Sequence, residues 1–228
     1  MINNPQIIQQ NTQKRMKGVC DIVFVIDLSG SMIPFIEGLK SHIENFIDSL
    51  KSGNQNISSL DYRLGIVAHN NWGFYVLDFT SDINRFKKAL EQLGPDGNEF
   101  TLPAIDRALD FPWRKATRII ASFTDEPFEG GHEPKFQKSK FDELKKKIND
   151  LHIHLYFMSP QCDVYEELAK VPRTICSWFN DTFETYDFSE LLNTMGKTLS
   201  ASLSQQDASK NPNPDLYSLR GKFPEYKI

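Results

Sequence analysis

Asp27, Ser29 and Ser31 stand at i, i+2 and i+4 in the stretch Asp-Leu-Ser-Gly-Ser, directly after the apolar run Ile22-Val-Phe-Val-Ile26. A loop this tight can aim one carboxylate and two hydroxyls at a common point. Oxygen ligands without His or Cys suit a hard cation, Mg²⁺ above all, which keeps several of its waters and seldom takes a complete protein cage. A second apolar run, Ile119 to Phe123, also stops just before an aspartate, Asp125, which would add a second carboxylate directly or through water. Two carboxylates against a divalent ion leave the site near neutral, so an incoming anionic group is not repelled. The alternative is purely structural, an Asx-type turn that caps the next helix.

Three reaction templates fail for want of named groups. A phosphatase of the haloacid dehalogenase type also places an aspartate after a hydrophobic strand, but it needs a second carboxylate two residues on as general acid, and position 29 is Ser. Ser29 lies in Asp-Leu-Ser-Gly-Ser, not in the Gly-x-Ser-x-Gly turn of a serine hydrolase. Neither a GxGxxG stretch nor a Gly-Lys-Ser motif supports a nucleotide. Binding, not catalysis, is the expectation, with a metal-dependent phosphatase-like hydrolase using Asp27 as the alternative.

The elements that must position these groups alternate along the chain. Residues 1–18 are polar, rich in Asn and Gln, and expected as a flexible arm. After the first strand, Ile36, Leu39, Ile43, Phe46, Ile47 and Leu50 recur in steps that mark one helix face. Tyr62 to His69 and Phe74 to Phe79 read as strands, and the short turn Asn70-Asn-Trp-Gly73 can join only antiparallel neighbours. Ser81-Asp82 can cap a helix carrying Ile83, Phe86, Leu90 and Leu93, and a short helix runs from about Pro103 to Leu109. Beyond the Ile119 strand come a helix through Phe141, Leu144, Ile148 and Leu151, a strand from Ile153 to Met158, a small helix near Val164, and a strand from Thr174 to Phe179. Asp187 and Glu190 resemble a capping box before a last helix through Met195 and Leu203. The pattern predicts an α/β fold with a mostly parallel six-stranded sheet, one antiparallel edge strand and helices on both faces. In such sheets ligands sit beyond the carboxyl ends of the strands, which is where Asp27 and Asp125 fall.

At this point the sequence resembles a known family, the von Willebrand factor A domains, in their bacterial cytoplasmic type. The family's metal-ion-dependent adhesion site carries Asp-x-Ser-x-Ser, matched in full by Asp27, Ser29 and Ser31, and an aspartate at the end of the fourth strand, matched by Asp125 in Phe123-Thr-Asp125. Gly65-Ile-Val-Ala-His69, Phe79-Thr-Ser-Asp82 and Phe111-Pro-Trp-Arg114 are further points of likeness, and the resemblance covers roughly residues 19–203. The family's metal-binding threonine corresponds to Thr101 in Asn98-Glu-Phe-Thr101, with Glu99 as the alternative for that slot. Glu126-Pro127 stands where the family commonly has Gly. The resemblance implies a Rossmann-like domain over 19–204 and a tail over 205–228. It also implies a Mg²⁺ site (Mn or Ca being alternatives) whose open position accepts a Glu or Asp of a partner protein, and an adaptor role in a multi-protein system.

Composition fits a protein partner. The 228 residues carry a formal charge of −4, without the basic footprint of a nucleic-acid domain. Lys135, Lys138, Lys140, Lys145, Lys146 and Lys147 read as a solvated helix face. No apolar run is long enough to span a membrane, and the start has no signal-peptide pattern. Cys20, Cys162 and Cys176 are odd in number and widely spaced, as expected of reduced thiols in a cytoplasmic protein. His152 and His154 read as packed, hydrogen-bonded histidines on one strand face. His132 and Trp72, near the candidate site in the expected topology, are candidate partner contacts.

Overall fold

The computed structural model describes residues 16–52, 57–70, 73–95, 100–127, 140–178, 192–193, 195–197 and 225–227. The expectations placed on Trp72, Glu99, His132 and most of the last helix and tail fall outside these residues. The described elements are β1 (Met16–Asp27), a single 3-10 turn (Gly30–Met32), α1 (Ile33–Ser52), β2 (Ile57–Asn70), β3 (Gly73–Thr80), α2 (Ile83–Glu91), α3 (Thr101–Leu109), β4 (Thr117–Phe123), α4 (Phe141–Asp150), β5 (Ile153–Ser159), α5 (Asp163–Ala169), β6 (Thr174–Trp178) and β7 (Glu225–Lys227).

The strands lie in one sheet in the order β6-β5-β4-β1-β2-β3-β7. Neighbours are parallel except β2 and β3. Side chains alternate across a strand, and β1 distributes its apolar run accordingly. Cys20, Ile22, Phe24 and Ile26 face a core shared with α1 and α2, while Val23 and Val25 face one shared with α3, α4 and α5. That two-sided burial is why the run reads as continuous and not alternating. The stripe expected on α1 is buried in full. Asp82 caps α2, its Oδ1 accepting from the backbone N–H of Asn84 and Arg85. Leu192 and Met195, both helical, are buried against the α1 side of the sheet.

Three features depart from the sequence expectation. First, β1 begins at Met16, not at Ile22. A charge at Asp21 ends the apolar run, yet the strand continues because Asp21 is fully buried and satisfied. Its carboxylate accepts from Arg63 Nε and Nη2 at 2.9 and 2.6 Å and from Arg114 N and Nε at 2.9 and 2.8 Å. Second, Lys147 does not join a solvated face: its side chain is 2% exposed and its Nζ pairs with Asp106 at 2.9 Å and Asp110 at 2.7 Å, tying α4 to α3. Lys140, Lys145 and Lys146 pair along α4 with Glu143, Asp142 and Asp150. Third, the antiparallel strand β3 is not the sheet edge, because Glu225–Lys227 adds a seventh strand parallel to it. Three residues carry no readable period, so nothing in the sequence announced that strand.

The thiols of Cys20 and Cys176 are pushed up by burial, to about 12 and about 11. His152 precedes β5 in a left-handed conformation (φ 53°), with Nδ1 against the Asp150 carbonyl, so it does not share a strand face with His154. Among the described residues no helix is long and apolar enough to cross a membrane.

Candidate functional site

β1 sits between β2 and β4, and after β3 the chain crosses back past β1 to form β4. This reversal opens a crevice at the carboxyl ends of the central strands. Asp27 is the last residue of β1, beside His69 of β2 in the ladder, while its predecessor Ile26 pairs with Phe123 of β4. The crevice is thus lined from three directions by the ends of β1, β2 and β4.

Four of the residues singled out by spacing come together here. Asp27 is fully buried, and its Oδ1 accepts from Ser29 N at 2.7 Å, closing an Asx turn. Ser29 Oγ donates to Asp125 Oδ1 at 3.1 Å and lies 3.1 Å from Ser31 Oγ. Because the single Ser29 hydroxyl proton goes to Asp125, Ser31 is the donor of the second bond. Exposure rises along this chain from buried Asp27 and Ser29, through half-buried Asp125, to exposed Ser31. The oxygen set therefore runs from the sheet interior to the surface. The turn expected as a structural alternative is present, but Ser29 makes no side-chain cap to the following 3-10 turn.

Thr101 opens α3 and is almost fully buried, with no hydrogen-bond partner for its hydroxyl. It reaches the crevice through its neighbour: Phe100 N donates to His69 Nδ1 at 3.1 Å, and the carbonyl of His69 accepts from Leu28 N at 3.0 Å. Glu99, the alternative for this slot, lies outside the described residues.

Two participants were missed by the sequence reading. Thr124 donates its hydroxyl to Asp27 Oδ2 at 2.8 Å, accepts from Glu126 N at 3.2 Å and anchors its own N–H on the Met158 carbonyl. It thereby fixes the second carboxylate oxygen of Asp27 and the turn that presents Asp125. His69 braces the loops after β1 and before α3. The available signal in both cases was a polar residue directly after an apolar run, Ile66-Val-Ala68 before His69 and Ile119 to Phe123 before Thr124.

Burial raises the Asp27 carboxyl to about 7 against the pull of its hydrogen bonds from Ser29 and Thr124, with Asp125 raising it further. The Glu126 carboxyl is also raised, by burial and then by Asp125. Burial holds His69 neutral, down at about 3. Among the described residues no three His, Cys, Asp or Glu side chains gather at one point, so a metal ion here would draw on hydroxyls as well as carboxylates. The residues present fit a hard cation on those terms. Two carboxylates and three hydroxyls are an all-oxygen donor set, and the buried orphan hydroxyl of Thr101 costs about 1–3 kcal/mol while nothing bonds to it. Asp27, Ser29, Ser31, Thr101 and Asp125 are the residues that would hold such an ion.

Comparison with known proteins places this architecture. The description "von Willebrand factor type A domain" matches residues 22–128. Over 156 residues the chain is 26% identical to alpha-protein kinase vwkA of Dictyostelium discoideum, covering 60% of this chain but only 24% of the kinase. Among solved structures it is similar to a von Willebrand factor type A protein from Catenulispora acidiphila, with a TM-score of 0.58 at 15% identity, over 79% of this chain and 42% of that one. It is likewise similar to the SpRpn10 VWA domain, with a TM-score of 0.54 at 16% identity, over 78% of this chain and 95% of that one. Residues 22–128 carry the match to the von Willebrand factor A family, and the mixed sheet around them has the fold of the solved von Willebrand factor A structures.

Proposed function

We propose that the chain is a Mg²⁺-dependent protein-interaction module that accepts a Glu or Asp side chain of a partner protein. Domains of this family commonly mediate protein–protein interactions. The observation that carries the metal-dependent reading is the hydrogen-bonded oxygen set from Asp27 to Ser31 and Asp125, together with the buried, unpartnered hydroxyl of Thr101 at the start of α3, which Phe100 and His69 tie to the end of β2. Asp27 is held by Ser29 N and Thr124, Ser29 is oriented by Asp125, and Ser31 marks the open side. When bound, the divalent ion would supply an open position for an anionic oxygen, and the two carboxylates near it leave little net charge to oppose that oxygen.

Position 29 is Ser, so the second carboxylate that a phosphatase of the haloacid dehalogenase type needs as general acid is missing, which counts against the phosphatase-like alternative. We therefore read the chain as a non-enzymatic adaptor, and we place it in the cytoplasm, where its three free cysteines stay reduced.

The test is affinity capture on the immobilised full chain, in Mg²⁺ and in EDTA, with Asp125→Asn alongside wild type. Partners retained in Mg²⁺, released by EDTA and not retained by Asp125→Asn are expected. Capture indifferent to both EDTA and the substitution rules the reading out.

A further inference from the structure

β3 is eight residues of mostly aromatic and β-branched character, Gly-Phe-Tyr-Val-Leu-Asp-Phe-Thr, ending the main body of the sheet. Such an edge offers unpaired N–H and C=O groups to any extended chain, and proteins usually blunt it with lysine, proline or a bulge on the exposed side. β3 has neither lysine nor proline, its single charge is Asp78, and its one irregularity is the register shift against β2 between Leu77 and Thr80. The edge is covered instead by β7. Glu225, Tyr226 and Lys227 pair in parallel with Phe74, Tyr75 and Val76, and Lys227 Nζ reaches Asp78 Oδ1 at 2.8 Å. The added strand thus covers three of the eight positions, and the ion pair that closes it joins two side chains more than half exposed.

We propose that the outer edge of β3 is an acceptor site for an extended protein segment bearing a basic residue opposite Asp78, with residues 225–227 as its resident, displaceable occupant. Three features support displacement. A strand pair this short is marginal by itself. An exposed ion pair contributes only about 0–1 kcal/mol. β7 pairs with Phe74 to Val76 and, among the described residues, no strand lies outside Leu77, the last residue before the register shift, so a longer incoming segment can add main-chain bonds there that β7 does not make. Strand addition of this type draws its affinity from the backbone and its selectivity from side chains at alternate positions, here the cation facing Asp78. β7 starts beside Phe74, at the same end of the sheet as Asp27, so a segment entering this site approaches from the crevice end. The proposal does not depend on a metal ion.

The test uses the full chain and a fluorescent peptide of residues 221–228, Gly-Lys-Phe-Pro-Glu-Tyr-Lys-Ile. In Glu225→Pro/Tyr226→Pro, adjacent prolines remove at least one N–H that faces β3, whichever phase the strand has. The tethered occupant competes with free peptide in wild type, so peptide affinity should be at least about tenfold higher in the double variant. Amide exchange along β3 should quicken in that variant, and added peptide should slow it again, in EDTA as in Mg²⁺. Asp78→Lys introduced into the double variant should weaken the peptide, and a peptide with Asp in place of Lys227 should recover binding to it. Equal affinity for wild type and the double variant, equal binding of a scrambled peptide, or a double variant that dimerises and takes no peptide would each overturn the proposal.

Discussion

Phe100 N donates to His69 Nδ1 at 3.1 Å, joining the start of α3 to the end of β2 beside Asp27. The ring must present Nδ1 as an acceptor, which fixes the proton on Nε2. His69→Gln keeps a side-chain acceptor, whereas His69→Leu leaves the Phe100 amide buried and unpaired. The Leu variant should lose about 1–3 kcal/mol relative to the Gln variant in denaturant melts, with faster exchange at the Thr101 and Phe100 amides. Equal stability of the two would mean that the bond holds nothing in place.

The same residue shapes acid stability. Burial depresses His69 to about 3, against an ordinary value of 6.5, so between those limits the unfolded chain binds the extra proton. Folding stability from this group is complete above pH 6.5 and falls by about 1.4 kcal/mol per unit as pH drops toward 3. Asp27 acts oppositely. Burial raises it from 3.8 to about 7, so the folded chain holds the extra proton in that window and its contribution is lost as pH rises through 7. The two slopes offset each other in wild type over much of pH 4–6.5. Subtracting the His69→Gln stability curve from that of wild type isolates the histidine, and the difference should fall as pH drops below 6.5. A difference flat from 6.5 to 4 would show that His69 titrates normally.

Asp21 works at the far end of β1 from the crevice. Asp21→Ala removes the acceptor for four donors from Arg63 and Arg114 and should cost about 3–5 kcal/mol in thermal or denaturant unfolding. Metal binding measured below the melting range should stay unchanged, since the network touches none of the crevice residues. A loss under 1 kcal/mol would mean that the arginines are satisfied by solvent.

Gly196 marks a close approach between α1 and the helical residues at 195–197. A Cβ at that position would lie 1.7 Å from Ser49 Oγ and 3.0 Å from Ser49 Cβ. Gly196→Ala should therefore destabilise by about 1–3 kcal/mol, and Ser49→Gly in the same chain should recover part of that loss. Additive losses in the double variant would place the two segments apart.

The sequence made the two-sided sheet legible because Ile22–Ile26 of β1 is wholly apolar and Ile119–Phe123 of β4 is apolar but for Ser122, and it located Asp27 and Asp125 because each follows such a run. Thr124 and His69 escaped notice because their roles depend on partners far away in the chain: Thr124 reaches Asp27 across 97 residues and His69 reaches Phe100 across 31. Asp21 and Lys147 misled for the same reason, since a charge reads as a surface signal until its buried partner is known. β7 was hidden by its brevity.

The most direct measurement of the central claim is calorimetric titration of Mg²⁺, repeated with Mn²⁺, into the full chain, with Asp27→Asn and Thr101→Val as controls. The expected result is one ion per chain, bound weakly, with affinity reduced at least about tenfold in both variants, the loss of one ligand from an already incomplete protein shell. A wild-type chain that takes up neither ion, or variants that bind as well as wild type, would contradict it.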